Sequence, residues 1–145
     1  MAVWSILGDL HPVLVHFPIA LILVAAVAEA MFISTRQTEF GDAARFMVFA
    51  AAWMSIAAAL AGIAAASGET FTPELGRAFT VHRAAGIATP VVTLLAAAMA
   101  GGARRSGQIW ELMLYRVLLF IAVLGVGIAG FYGGELAHGP GAIGP

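Results

Sequence analysis

Four histidines are the residues of this chain best suited to chemistry: His11, His16, His82 and His138. Imidazole ligates haem iron, copper and zinc, and carries protons near neutral pH. The chain has no cysteine. Thiolate metal sites, iron–sulfur clusters, disulfides and covalent c-type haem attachment are thereby excluded. No nucleophile–base constellation and no phosphate-binding loop is present. The chemistry on offer is therefore ligand or metal binding, and the chain reads as an electron-transfer or accessory subunit rather than a stand-alone enzyme. It has no lysine and a net charge of −1, so nucleic acid is not an expected partner.

The elements that must position these histidines follow from composition. The chain has 145 residues, 61% hydrophobic and 10% charged, with a mean hydropathy of +0.96. Soluble domains carry about 25% charged residues, and a chain this small cannot hide so much apolar surface from water. A membrane-spanning helix needs about 20 apolar residues, and four stretches qualify: 12–33, 46–67, 81–101 and 112–132. They lack the alternation of barrel strands, and helices satisfy every backbone polar group in lipid. The expected fold is all-α, a single transmembrane four-helix bundle over residues 1–145 with up-down-up-down topology. Short connectors (34–45, 68–80, 102–111) carry Gly41, Gly68, Pro73, Gly76 and Gly107 as breakers. The Gly/Pro-rich tail 133–145 is expected to be irregular, and no repeat of fixed period is expected. The first apolar run is too long for a cleaved leader and has no basic residue before it, so it reads as a retained helix.

In such a bundle all four histidines fall at one membrane face. His11 and His16 begin helix 1, His82 begins helix 3, and His138 follows helix 4 in a loop expected to fold over the mouth. Pro12 suits a first helical turn, which puts His11 near an N-cap and His16 roughly 7 Å deeper. Helices 1 and 3 are diagonal, about 12–14 Å apart, which suits two imidazoles clamping one metal. Helix 3 carries one small-polar stripe, His82, Gly86, Thr89 and Thr93, at i, i+4, i+7 and i+11. Helix 2 repeats the theme with Ser55, Ala59, Gly62 and Ala66, and helix 4 with Gly125, Gly127, Gly130 and Gly134. Such residues serve helix packing or make room for a flat ligand, with Gly62, Gly86 and Gly130 as the cofactor-facing candidates.

Three functions compete. The first is a b-type haem electron carrier with His16 and His82 as axial ligands and His11 and His138 on a second metal or the haem propionates. The second is a copper or zinc site closed by three or four of the histidines. The third is a non-catalytic assembly subunit of a larger membrane complex.

The segment Leu10-His11-Pro12-Val13-Leu14-Val15-His16-Phe17-Pro18-Ile19-Ala20-Leu21 resembles the opening signature of the bacterial DUF2231 membrane family, L-H-P-x-x-V-H-F-P-[IA]-[AG]-L. The resemblance extends to Glu29, to His82, and to the ending Gly133-Gly134-Glu135-Leu136-Ala137-His138-Gly139. Family members often place two more residues between that leucine and histidine. The resemblance implies a four-span module with four characteristic histidines, and fusion of some relatives to Rieske-type or cytochrome-type domains implies electron transfer by analogy.

Other polar residues divide by face. Arg36, Arg45, Arg104, Arg105 and Arg116 lie opposite the histidines, and Arg77 and Arg83 lie beside them. Five against two predicts a bacterial inner-membrane protein with the histidine face and both termini outside. The expected partners are the lipid bilayer, a membrane or periplasmic redox protein, and a quinone. Glu29 needs a cation in the membrane, and Arg116 or Arg45 is expected to supply it. Pro18 and Pro90 should bend their helices, Pro18 by freeing the Leu14 carbonyl. Trp4, Phe71, Phe79, Phe131 and Tyr132 form an expected outer aromatic belt, and Phe40, Trp110 and Tyr115 an inner one.

Overall fold

The bundle is built with small residues inside and large ones outside. In the computed structural model, which describes residues 2–67 and 72–139, Ala25, Ala44, Ala51, Ala61, Ala96 and Ala122 have no exposed surface. Phe46, Ile109 and Phe120 are more than 60% exposed. Such an arrangement would be untenable in water, where large side chains gain most from burial. In lipid the large side chains lose nothing by facing outward, and alanine lets the backbones approach.

Nearly every described residue is helical. The elements are α1 (Ala2–Asp9), α2 (His11–Leu14), α3 (His16–Thr35), α4 (Thr38–Ala66), α5 (Pro73–Ser106) and α6 (Ile109–His138). Four segments are long and apolar enough to span a membrane: His11–Thr35, Thr38–Ala66, Leu75–Ser106 and Ile109–His138. Each packs against its neighbours in a ring: α3 on α4, α4 on α5, α5 on α6, and α6 back on α3. This is the expected all-α four-helix bundle, with α3 and α5 on a diagonal.

The elements run further than their apolar cores. The fourth span, α6, continues through Gly133 and Gly134 to His138, where a loop was expected. The connector expected over 34–45 shrinks to two residues, because α3 reaches Thr35 and α4 begins at Thr38. Apolar runs mark the lipid-embedded part, and the polar turns beyond them are read as loops. The short helix α1 was also not foreseen, being below the length of a span. It packs along α4, with Trp4 Nε1 donating to Ser67 Oγ at 2.7 Å and Gly8 lying against the Ala65 backbone. The chain stays nearly helical from α1 into α3, interrupted at Leu10 and Val15, where Leu10 N and Val15 N still donate to Ile6 O and His11 O. Pro12 and Pro18 each remove a donor there. α5 runs unbroken past Pro90, although the proline nitrogen cannot donate to the Gly86 carbonyl. Residues 68–71, including Phe71 of the expected belt, and 140–145 of the tail lie outside the described residues.

The expectation that the chain holds no repeat is also overturned. A displacement of 71 positions maps the first two spans onto the last two. The buried residues Ile22, Ala25, Val48 and Ala51 correspond to Thr93, Ala96, Leu119 and Ala122, also buried. The two inter-helix links correspond too. Arg36 (φ 61, ψ 12) matches Gly107 (φ 67, ψ 9), and Gln37 (φ −74, ψ 120) matches Gln108 (φ −72, ψ 124). Thr35 Oγ1 accepts Gln37 N as Ser106 Oγ accepts Gln108 N. The molecule is therefore two equivalent hairpins about a pseudo-twofold axis running along the bundle, the parallel-repeat arrangement of some membrane folds. Sequence hid the repeat because lipid-facing positions exchange any apolar residue for another.

Candidate functional site

The two hairpins meet at a pair of imidazoles. In the first, α2 carries His11, whose Nδ1 lies 3.0 Å from the Ala58 carbonyl of α4. In the second, α5 carries His82, whose Nδ1 lies 2.8 Å from the Ala129 carbonyl of α6. His11 and His82 are 71 positions apart, and each partner carbonyl is 47 residues further on. The carbonyl can serve two donors because it has two lone pairs.

Each ring also lies against a glycine one turn beyond its carbonyl. A Cβ on Gly62 would stand 2.8 Å from His11 Cε1, and one on Gly133 would stand 3.0 Å from His82 Cε1. No side chain fits at either place while the ring stays where it is. Gly62 and Gly133 are again 71 positions apart.

A carbonyl accepts and never donates, so Nδ1 of each ring carries the proton. Nε2 is then left with its lone pair. Neither Nε2 has a hydrogen-bond partner among the described residues. The two ring centroids are 6.2 Å apart and the planes cross at 80°. Among the described residues, no group of three or more His, Cys, Asp or Glu is placed to share a metal ion.

Both rings line a cavity of about 470 Å³ between α4 and α5. Its walls are largely apolar, with Ala59, Gly62 and Ala66 from α4 and Gly86 and Ile87 from α5. Nothing lies within 4 Å of where a Gly86 Cβ would be. Arg83, exposed and without an ion-pair partner among the described residues, supplies the one formally charged side chain of the wall.

The expected site residues separate. His11, His82, Gly62 and Gly86 line the cavity. Gly62 is filled by the His11 ring rather than left open, whereas Gly86 faces free space. Gly130 has open space beside it but is exposed and outside the cavity wall. His16 and His138 are exposed and line no part of it. His16 sits five residues after His11, about 140° around the helix, so the two cannot face the same axis. His11 instead shares the inward stripe of Pro18, Ile22, Ala25 and Glu29, all buried. That stripe has the spacing of His82, Thr89, Thr93 and Ala96 in α5, of which the last three are buried. Counting back from Glu29 in steps of three and four would have found His11. The carbonyl latches and Gly133 were not foreseen, and only the 71-residue register reveals them.

At the other end of the bundle, Glu29 Oε1 accepts a hydrogen bond from Arg116 Nε at 2.8 Å. This is the expected pairing. Tyr115, expected in the inner aromatic belt, is instead 1% exposed and part of the core.

The model of the family described as "Predicted membrane protein (DUF2231)" matches residues 8–142. The match takes in nearly the whole chain, which therefore belongs to that family. No curated protein and no solved structure matches it.

Proposed function

We propose that this DUF2231 member is a b-type haem electron-transfer protein or subunit of the bacterial inner membrane, with His11 and His82 as the axial ligands. The observation that carries this reading is the pair of rings whose Nδ1 atoms are tied to carbonyls, leaving two Nε2 lone pairs beside one apolar cavity. Such second contacts fix the tautomer and orientation of ligating histidines. The ring centroids are 6.2 Å apart, so one group bound in the cavity could meet both imidazoles. A bare edge-to-face ring pair can span the same distance, but it gives no reason to latch both rings and leave both lone pairs unused.

The number of donors favours haem over copper or zinc. Zinc takes four ligands, and its catalytic sites three from protein. Here two histidines converge with no third donor among the described residues. A porphyrin supplies four nitrogens of its own and asks the protein for two. His16 and His138 are then free for other duties, such as contact with a partner. The cavity lies within the usual ligand-site range of about 300–1,000 Å³.

When bound, the haem would supply reversible one-electron chemistry. The chain's part would be to hold the iron's two axial sites, exclude water with alanine and glycine walls, and set the potential through burial and the two Nδ1–H latches. With five arginines at the opposite end against Arg77 and Arg83 at this one, the site faces outward. It would exchange electrons with a quinol or with a redox protein outside. The absorbance spectrum and iron content of the purified chain, expressed with haem supply, test this reading. A Soret band with iron near one per chain is expected, and copper or zinc without iron would overturn it.

A further inference from the structure

The end of the bundle remote from the histidines carries a second cavity, of about 200 Å³, walled by the ends of α3, α4, α5 and α6. Arg45, Arg104, Gln108 and Tyr115 supply its polar lining, and Phe32 and Leu112 part of its apolar lining.

Three observations mark it as built to hold something. Arg45 Nη1 and Arg104 Nη1 converge on one carboxylate oxygen, Asp42 Oδ1, at 2.8 and 3.0 Å. One carboxylate thus faces two guanidiniums, each with further N–H donors unspent. Glu29 is already committed to Arg116, so the five charges leave one positive in excess. Second, Tyr115 is 1% exposed, and its hydroxyl lies beside the Glu29 carboxylate without reaching hydrogen-bond geometry with any group among the described residues. A buried hydroxyl without an acceptor is costly. Third, the cavity sits where the two hairpins depart from their repeat. Tyr115 stands in the place of Ala44, while Ala100 and Ala103 of its wall stand in the places of Glu29 and Phe32. The second hairpin has gained a donor and lost the bulk that would fill the space.

We propose that this cavity binds the phosphate of an anionic phospholipid headgroup, with Arg45 and Arg104 on the phosphate oxygens and the Tyr115 hydroxyl donating to a further ligand oxygen. Guanidiniums match phosphate geometry, and basic pockets between membrane helices recognise such headgroups. The apolar wall favours a lipid over free phosphate, because the glycerol and first acyl carbons need an apolar surface. The site shares no residue with the histidine cavity and does not depend on a haem.

Native mass spectrometry of the full chain released from detergent, offered phosphatidylglycerol and phosphatidylcholine in equal amounts, tests it. Wild type should retain phosphatidylglycerol preferentially. Tyr115→Phe, which keeps the ring and its packing, should lower retention about tenfold for one hydrogen bond to a charged group, and Arg104→Gln should abolish the preference. Thermal unfolding in the same lipids gives a second readout, with phosphatidylglycerol raising the Tm of wild type more than that of Tyr115→Phe. Equal retention of both lipids, or variants that match wild type, would overturn the site. Inorganic phosphate that binds and displaces the lipid would overturn the lipid assignment and leave a free-anion site.

Discussion

His11 and Gly62 are one device, as are His82 and Gly133. The glycine removes the side chain that would cover a helix carbonyl, and the imidazole takes both the space and the carbonyl. Gly62→Ala and Gly133→Ala should therefore each push a ring off its latch, since the new Cβ would stand at 2.8 or 3.0 Å from ring carbon. Loss of the two-histidine haem spectrum in these variants, with Gly86→Ala much closer to wild type, is the expected result. Gly86 has nothing within 4 Å. At the other end, Glu29 is 5% exposed and holds Arg116. Glu29→Ala should destabilise the bundle by about 3–5 kcal/mol because it leaves a cation uncompensated. Glu29→Gln, which keeps an acceptor for Arg116 Nε, should cost less, and reversible unfolding in mixed micelles measures both. The Glu29–Arg116 pair was legible in sequence because an acid that deep in a span demands a cation. The sequence pointed to His16 beside His82, whereas the cavity wall holds His11. His11 and His16 sit about 140° apart around the helix, a difference that depth along the axis does not show.

The same turn is written twice with different residues. Arg36 and Gly107 both sit in the left-handed region at the end of a span, and each is followed by an extended glutamine. Only glycine adopts that conformation without a steric penalty, which is about 1–2 kcal/mol for other residues. Gly107→Ala should therefore destabilise by about 1 kcal/mol, and Arg36→Gly should stabilise by a similar amount. Thermal unfolding of the two variants beside wild type checks the sign of each. At this scale the apolar strings announced four helices, and turn chemistry did not announce their ends. Arg36 carries no glycine signal, and Gly133 and Gly134 were read as breakers although α6 runs through them. The His82 ring lies against Gly133, so tertiary packing overrides its low helix propensity.

The whole molecule is an inside-out pair of hairpins. Alanine lines the centre, large side chains meet lipid, and the charged groups and imidazoles gather towards the two ends of the axis. Composition alone placed the chain in a membrane, because only lipid tolerates that much outward apolar surface. The duplication was not legible, since it is preserved in buried small residues, the links and the histidine latches while the lipid face has drifted. Twofold construction explains why the site has two imidazoles rather than three or four. Each hairpin contributes one histidine, and the axis brings them to 6.2 Å. The cavity at the opposite end shows the converse, with an unmatched tyrosine where symmetry is broken. The central claim is that the axial pair holds a haem. It is tested most directly by reduced-minus-oxidised spectra of the purified full chain, expressed with haem supply, for wild type and for His11→Ala, His82→Ala and His16→Ala. The account predicts a Soret band and a sharp α-band in wild type, kept by His16→Ala and lost or strongly shifted in the other two. A wild-type protein without a Soret band, or a spectrum untouched by removing His11 and His82, would contradict it.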